Sequence, residues 1–309
     1  MAKRANLTIG ITVTAALSAA IAWPAVASPL TAQQILSEYN LVTNGNVSTQ
    51  SDIEGGIVDG GNLNAATMFN NGEPVAPNIF VYGTLGAGPM QTDSYVNLYY
   101  KTPGVGNPQF NFNGGHTQYT TLPALSQFTQ PLQTLSTEFA ADPATAGAAV
   151  VNGTFTAPSG YKGIVTFDLT ASQLQSDLQS EIKFSGGSGV TAFIVNVTGN
   201  FTEPGGVNFN TPQQDALFNF VNATSVTLGN WKTSVLAPFA DLKIANGYLD
   251  GSVYANTFSG GGELHMENLY DGAVPSAVPE ISTWAMLAAG FGALSLAGVR
   301  RTRRLAPLG

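Results

Sequence analysis

Apolar residues follow two kinds of pattern along the chain. Long uncharged apolar runs lie near both ends, from Leu7 to Trp23 and from Ile281 to Val299. Between them, β-branched and aromatic residues form short runs separated by glycine-rich turns. The long runs are typical of membrane-inserting segments and the short ones of strands. The pattern predicts a β-rich body with a targeting segment at each end.

The first apolar run has the layout of a secretory signal peptide. Lys3 and Arg4 precede it, and Ala25-Val-Ala27 after it is a small-x-small site of the kind that signal peptidase cleaves. Pro24 argues against the alternative of a permanent membrane helix. We predict that residues 1–27 are removed and that the body is exported.

The second apolar run is long enough to cross a bilayer, which takes about 20 residues. Four arginines follow it directly: Arg300, Arg301, Arg303 and Arg304. The positive-inside rule keeps such a cluster in the cytoplasm, which disfavours a buried core helix. We predict a transmembrane helix at 281–299 and a basic cytoplasmic tail at 300–309.

The body contains many short strands. Pairs such as Asn246-Gly247 and Asp250-Gly251 supply the positive φ of tight turns. The strand-like runs between such turns include Ile79–Tyr82, Val190–Gly199, Ser225–Leu228 and Lys243–Ala245.

Helical spacing occurs in three places. Apolar residues three or four apart from Leu122 to Phe139 predict a long helix, which Pro131 would kink or split. A shorter helix is predicted after Ser172, with Leu174, Leu178 and Ile182 on one face. A third is predicted to open at Thr211-Pro212 and to bury Leu217 and Phe220.

An internal echo bears on the fold class. Thr233-Ser-Val-Leu-Ala237 returns as Gly251-Ser-Val-Tyr-Ala255, a shift of 18 residues from Ser234 to Ser252. An offset near 20 suits successive coils of a β-solenoid. Strands of a β-sandwich can produce the same echo, so the pattern alone leaves both folds open.

The charge of the body excludes some partners. Between Ser28 and Glu280 there are five lysines, no arginine and all 19 acidic residues, so the net charge is 5 − 19 = −14. Nucleic acids need clustered Lys and Arg, and we expect no nucleic-acid partner. The chain has no cysteine, which excludes thiol catalysis and disulfide scaffolds.

No catalytic constellation emerges from the remaining residues. His116 and His265 lie far apart, without a recognisable nucleophile, and are interpreted as surface or turn residues. Asp52, Glu54 and Asp59 form an acidic glycine-rich segment that could bind Ca²⁺, although its spacing is not that of an EF-hand. We otherwise expect no cofactor, no metal and no enzymatic activity.

Two further surfaces are considered for binding. Tyr99, Tyr100, Phe110, Phe112 and Tyr119 form an aromatic stretch that could stack on sugar rings, although filling the core is the favoured interpretation. Ice binding needs a sustained row of threonines. The sequence offers only isolated pairs such as Thr154-x-Thr156.

The C-terminal segment resembles a PEP-CTERM sorting domain. Val278-Pro279-Glu280 precedes the apolar run, and Pro279 and Glu280 match the family's short motif, with Ile281 in place of the usual second proline. The resemblance implies processing by an exosortase-like enzyme in a Gram-negative bacterium. It also implies transient anchoring in the inner membrane and a final place at the cell surface or in the extracellular matrix.

The body is similar to the choice-of-anchor A family. The matching segments are Tyr39–Val42, Asp52–Asn62, Ile194–Gly199, Phe218–Thr227, Trp231–Pro238, Asp250–Ala255 and Gly261–His265. The resemblance implies an adhesin-like surface protein. Val235-Leu-Ala-Pro238 and Asp250-Gly-Ser-Val253 also resemble ice-binding β-solenoids, in which a long helix packs beside an irregular parallel β-helix.

These observations give one expected organisation. A mainly β body spans 28–272, as an irregular parallel β-solenoid with a long helix alongside or, alternatively, as a β-sandwich. A linker with the Pro-Glu motif follows at 273–280. We expect a non-enzymatic adhesin-like protein whose partners are signal peptidase, an exosortase-like enzyme and extracellular polysaccharide or other surface proteins. The alternatives are a secreted carbohydrate-active enzyme and an ice- or ligand-binding solenoid.

Overall fold

The structure is a computed structural model of the chain. It describes residues 30–275 apart from 66–77, 87–89, 93–94, 104–109, 113–114, 179–180, 206 and 210–212. The predicted signal peptide, sorting motif, transmembrane helix and basic tail therefore lie outside the described residues.

Three helices and 22 strands are assigned in this part of the chain. The helices are α1 (Ala32–Glu38), α2 (Ser126–Ala141) and α3 (Ala171–Asp177). The strands of the N-terminal half are β1 (Tyr39–Thr43), β2 (Val47–Thr49), β3 (Gly56–Asp59), β4 (Leu63–Ala65), β5 (Asn78–Leu85), β6 (Met90–Thr92), β7 (Val96–Pro103), β8 (Phe110–Phe112) and β9 (His116–Tyr119). Those after α2 are β10 (Ala149–Val151), β11 (Thr154–Thr156), β12 (Gly163–Thr170), β13 (Glu181–Ser185), β14 (Val190–Thr198), β15 (Phe201–Thr202), β16 (Asn208–Phe209), β17 (Ala216–Phe220), β18 (Ser225–Leu228), β19 (Ser234–Ile244), β20 (Tyr248–Asp250), β21 (Val253–Gly260) and β22 (Glu263–His265).

The strands stack in parallel, coil upon coil. One face, which we call the helix face, has the spatial order β9-β7-β5-β3-β1-β21-β19-β17-β14-β12, and every neighbouring pair in it is parallel. A second face, the polar face, contains β4, β2, the second halves of β21 and β19, β18 and β15. A third face contains β13, β16, β20 and β22 with bridges from Trp231 and Ile53. This repeated order is that of a three-sided parallel β-solenoid.

The two halves of the solenoid meet at a seam in the middle of the stack. From β1 the coils run through β3, β5 and β7 to β9 at one end of the stack. Helix α2 then connects this half to the other half, which lies on the opposite side of the seam. From β12 the coils return through β14, β17 and β19 to β21, which pairs with β1. Val42 thereby lies beside Tyr254, so residues more than 200 positions apart occupy neighbouring rungs.

Inward-facing side chains form continuous apolar ladders inside the coil. On the helix face one ladder follows the register of the strands: Phe167, Val195, Phe218, Val235, Val253, Leu41, Ile57, Ile79 and Leu98. These side chains are buried, in one contiguous core. Because each rung buries its apolar row only against the neighbouring rungs, the stack is stabilised by nearest-neighbour packing.

Helix α2 lies on the outside of the helix face. Its buried residues Phe128, Leu132, Leu135 and Phe139 form a second apolar cluster with outward-facing residues of the sheet. At one end a polar ladder fixes the helix: Asn219 Nδ2 donates to Ser136 O at 2.9 Å, and Asn196 Nδ2 donates to Phe139 O at 2.7 Å. The predicted long helix packed alongside a solenoid is confirmed.

The parallel pairing decides between the two predicted folds. The described strands pair in parallel apart from the β10–β11 hairpin, whereas the sheets of β-sandwiches are antiparallel. The echo is a true rung repeat, because Leu236 lies beside Tyr254 and Ala237 beside Ala255, the same shift of 18. The mainly β, parallel prediction is therefore confirmed, and the sandwich alternative is wrong.

Some helix predictions need correction. Pro131 does not split α2, which is continuous from Ser126 to Ala141. The third helix is wrong: Leu217 and Phe220 lie on β17, whose residues are buried on both sides, so an apolar spacing of three arose without a helix. Helix α3 begins after Thr170 rather than Ser172, with a Thr170–Gln173 capping box, and Ile182 belongs to β13. Helix α1 was missed, although Thr31 and Gln34 form the same capping signature.

Candidate functional site

The polar face carries small hydrophilic side chains in register. Its inward row is apolar, with Val47, Phe258, Leu242 and Val226 in the core. Its outward row runs from rung to rung through Asn64, Ser48, Ser259, Lys243, Thr227 and Thr202. The alternation follows from the period of two in a strand. The face is therefore an exposed row of hydroxyl, amide and ammonium groups.

The geometry of the polar face suits contact with an extended partner. Strand spacing places its rungs about 4.8 Å apart, and alternate residues of one strand about 6.6 Å apart. A second row contains Ser225, Asp241 and Thr257, and Thr257 Oγ1 donates to Asp241 Oδ1 at 2.7 Å. The charges of Asp241 and Lys243 interrupt the hydroxyl rows. The face can make many weak hydrogen bonds over a broad area, but it is not a continuous threonine array.

The third face carries a ladder of ionisable side chains at the seam. Lys232, Asp250, His265 and Glu54 occupy equivalent positions on four successive rungs, as the pairings Trp231–Leu249, Asp250–His265 and Ile53–Leu264 require. The second row of this face includes Tyr248 and Glu263, which are paired on neighbouring rungs.

His265 is held between two carboxylates. Its Nδ1 lies 3.0 Å from Asp250 Oδ1, and its Nε2 lies 3.0 Å from Glu263 Oε2. Because carboxylates only accept hydrogen bonds, both ring nitrogens carry a proton when both bonds form. The Tyr248 ring stacks on the imidazole at 4.9 Å, and Lys232 Nζ lies 5.4 Å from the centre of the Tyr248 ring.

The charges of this cluster shift its protonation. Burial alone lowers the pKa of His265, but the bond to Glu263 and the charges of Glu54 and Asp250 outweigh it and raise the pKa above its ordinary value. Burial raises the pKa of Asp250 and of Glu54, against the opposing effect of His265. The cluster therefore favours the imidazolium form of His265 more than an isolated histidine would.

This arrangement stabilises the seam better than it supports catalysis. Both imidazole nitrogens are engaged, so the ring has no nitrogen free to act as a general base. His116 lies on β9 and stacks on Phe112 at 3.8 Å, so the two histidines do not come together. The interpretation of His116 as a surface residue is confirmed, since it is exposed. For His265 it was incomplete, because the ring is half-buried and paired.

The predicted calcium segment is divided between different environments. Glu54 lies on the third face, where Met266 N donates to its Oε2 at 3.2 Å. Asp59 ends β3, is buried, and accepts a hydrogen bond from Gly61 N at 2.9 Å. The turn between them separates the carboxylates, so Asp52, Glu54 and Asp59 do not form one cluster. Among the described residues, no group of three acidic or histidine side chains is arranged to hold a metal ion.

Asp59 is an unusual buried carboxyl. Its Oδ2 has no hydrogen-bond partner in the structure. Burial raises its pKa to about 7, against the lowering effect of the bonds from Gly61 and Thr43. The neutral acid is therefore strongly populated near pH 7, which lowers the cost of burial.

The aromatic stretch is divided between the core and the surface. Tyr100 and Phe112 pack against the main core, as the favoured interpretation expected. Tyr99 and Tyr119 instead point outward on neighbouring rungs, with ring centres 4.4 Å apart and planes at 13°. The side chain of Phe110 is outside the description.

Two of the concave features near the helices are a groove of about 260 Å³ and another of about 670 Å³. The larger one lies between α1 and α2, lined by Leu30, Pro131, Leu135 and Val274 among others. Glu138 is the one ionisable residue in its described lining. The smaller one includes Asp168 and Asn196 of the polar ladder, which are engaged in fixing α2. Neither groove assembles a pair of catalytic groups.

The predicted targeting residues cannot be placed on this surface. Ala25, Ala27, Pro279 and Glu280 lie outside the described residues. Within the described part of the chain, no helix is both long and apolar enough to cross a membrane.

Comparison with known proteins gives one family match. Residues 32–266 match a family model described as "Putative Ice-binding-like adhesive domain". This range contains α1 and every strand of the solenoid. No curated protein matches the chain.

Proposed function

The chain belongs to the ice-binding-like adhesive domain family, and on that premise we propose that it is a non-enzymatic adhesin of the cell surface or extracellular matrix. The polar face is the observation that carries this proposal. Its outward row of six residues spans both halves of the solenoid, from Asn64 to Thr202. Such a broad, shallow surface suits weak multivalent contact with a polymer or another cell better than it suits turnover of a small substrate.

Export and sorting form the second part of the proposal. The PEP-CTERM-like ending implies that signal peptidase cleaves after Ala27 and that an exosortase-like enzyme acts near Pro279-Glu280. The C-terminal helix would then hold the protein in the inner membrane only until processing. The acidic body favours partners that are neutral or cationic, or anionic partners bridged by divalent cations.

Attachment of living cells tests this function. A strain without the gene should attach less to surfaces and form a weaker matrix, and the full-length gene should restore both. The matched control is a gene in which Pro279 and Glu280 are replaced by alanine, which should leave the body folded but mislocalised. Unchanged attachment and matrix in the deletion strain would overturn the proposal.

Ice binding is the second candidate, because the polar face is regular and the family description includes it. Ice recognition needs an uninterrupted row, but Lys243 interrupts the first row of the polar face and Asp241 interrupts the second. We therefore expect no thermal hysteresis from the full chain at high concentration. A clear hysteresis that is lost in Thr227→Leu would make ice the ligand of this face.

A further inference from the structure

A column of aromatic rings leads from the core to one end of the solenoid. Phe80 is buried and packs against Phe128 of α2, with ring centres 5.1 Å apart. Tyr99 on the next rung stacks on Phe80 at 4.4 Å and 23°. Tyr119 on the following rung stacks on Tyr99 at 4.4 Å and 13°, and it is 39% exposed. The column is therefore rigid at its base and exposed at its tip.

Among the described strands, none lies beyond the outer ring face of Tyr119. Among the described strands β9 pairs with β7 alone, so Tyr119 ends the column. The opposite end of the helix face is different, because the chain before β10 covers β12. There Thr145 N donates to Thr166 O at 2.8 Å, and Thr166 N donates to Thr145 Oγ1 at 2.9 Å. The β9 end, by contrast, presents the exposed ring of Tyr119.

Polar groups lie beside the exposed rings. Asn78, Asn97 and Thr117 form the adjacent outward row, and Asn97 Nδ2 donates to Asn78 Oδ1 at 3.2 Å. Tyr95 is 45% exposed, and its hydroxyl is hydrogen-bonded to that of Thr117. Two exposed tyrosines thus flank a row of amide and hydroxyl groups.

We propose that this surface, the tyrosine platform (Tyr95, Asn97, Tyr99, Thr117 and Tyr119), binds a neutral pyranose ring of an extracellular polysaccharide. A sugar ring has an apolar C–H face that stacks on an aromatic ring, and its equatorial hydroxyls need donors and acceptors at the edge. The platform supplies both. The inference rests on the proposed adhesive function and names the ligand class of one of its surfaces.

Charge selects a neutral polysaccharide over an anionic one. The five platform residues are uncharged, whereas the body has a net charge of −14, from 5 lysines and 19 acidic residues. Recognition of carboxylate or sulfate groups needs Lys or Arg at the site, and the platform has neither. An anionic chain would also be repelled by the body as a whole.

Affinity electrophoresis of the full chain tests the platform. The chain, purified in mild detergent, is run through gels that contain neutral galactomannan, neutral dextran or anionic alginate. Retardation is expected with a neutral polysaccharide and not with alginate. Tyr119→Ala should weaken binding at least about tenfold, the equivalent of about 1.4 kcal/mol. Tyr119→Phe keeps the ring and should bind within about threefold of wild type, a loss of less than about 1.4 kcal/mol.

Phe239→Ala provides the matched control. Phe239 is an aromatic residue that is 52% exposed on β19, away from the platform. Its replacement should leave binding unchanged, and all variants should melt at the wild-type temperature. Equal binding by Tyr119→Ala and wild type would overturn the platform, as would an equal loss in Phe239→Ala. If wild type binds no neutral polysaccharide while the deletion strain still loses attachment, the platform is wrong and the adhesive function stands.

Discussion

His265 is a half-buried histidine whose proton is held by two carboxylates. Its pKa is raised, so the folded chain holds the proton more tightly than the unfolded chain does. The resulting stabilisation is fully present below about pH 6.5, the value of an unperturbed histidine, and is lost as the pH rises through the raised pKa. The bonds to Asp250 and Glu263 are the structural source of this dependence.

Replacing His265 by glutamine should remove this pH dependence. We expect wild type to lose stability as the pH rises above about 6.5, and His265→Gln to be less stable at pH 6 but to depend less on pH above it. Urea unfolding followed by circular dichroism at several pH values measures the effect. His116→Gln, on exposed β9, is the control and should track wild type. Parallel curves for His265→Gln and wild type would contradict the account.

Asp59 makes stability depend on pH over a lower range than His265 does. Its pKa rises from 3.8 to about 7 on folding, so stability is full below about pH 4, falls as the pH increases to about 7 and is flat beyond. Asp59→Asn keeps the shape without the charge and should stabilise the chain at pH 8, by at most about 4 kcal/mol. The gain should vanish at pH 4. Thermal melts of Asp59→Asn and wild type at the two pH values measure this gain. A lower melting temperature for Asp59→Asn than for wild type at pH 8 would refute the buried-charge explanation.

Acidic residues near one another in sequence were wrongly grouped into one site, and distant residues on neighbouring rungs were not connected. Asp52, Glu54 and Asp59 suggested a calcium segment, but a turn sends Asp59 into the protein and Glu54 to the third face. His265 has one partner on its own strand, Glu263, but two on other rungs: Asp250 lies 15 positions away, and Glu54 lies across the seam. Sequence spacing contains no information about a rung pairing of that kind.

Helix α2 packs over the middle of the helix face. It packs against β1, β14, β17 and β19, which belong to both halves of the solenoid. Its apolar spacing was visible in the sequence because a helix on a sheet buries one stripe. The short strand β17 could not be recognised in the sequence, because a strand buried on both sides has no alternation of apolar and polar residues.

Removing one buried side chain of α2 should weaken the whole fold. Leu132 is fully buried, and Leu132→Ala should cost about 2–5 kcal/mol in the free energy of unfolding. Gln133→Ala changes the neighbouring exposed residue and should cost little. Urea denaturation compares the two. Equal midpoints would show that the helix contributes little to stability.

The whole molecule depends on the seam between its halves. Asn40 is fully buried there: its Nδ2 donates to Gly251 O at 2.7 Å and to His265 O at 3.0 Å, and its Oδ1 accepts from Gly55 N at 3.3 Å. These bonds join the first coil to the last. The echo at Ser234 and Ser252 left the solenoid and the sandwich open, and the resemblance to ice-binding β-solenoids favoured the solenoid. Neither predicted the pairing of β1 with β21, since no local pattern relates these strands.

Breaking the seam should destabilise the solenoid as a unit. Asn40→Ala leaves buried backbone groups unpaired, at a cost of about 1–3 kcal/mol for each. We expect a lower melting temperature and faster proteolysis. Asn64→Ala, on the exposed polar face, is the control and should behave as wild type. A melting temperature unchanged by Asn40→Ala would show that the halves are stable apart.

Retention of coated beads under flow tests the central claim most directly, because it asks whether the folded protein alone confers adhesion. Inert beads carrying the full chain, and beads carrying the same chain after thermal unfolding, are passed over the extracellular matrix of the producing strain. We predict strong retention of the first and none of the second, with partial loss for Tyr119→Ala and no loss for Phe239→Ala. Equal retention of native and unfolded beads would contradict the account.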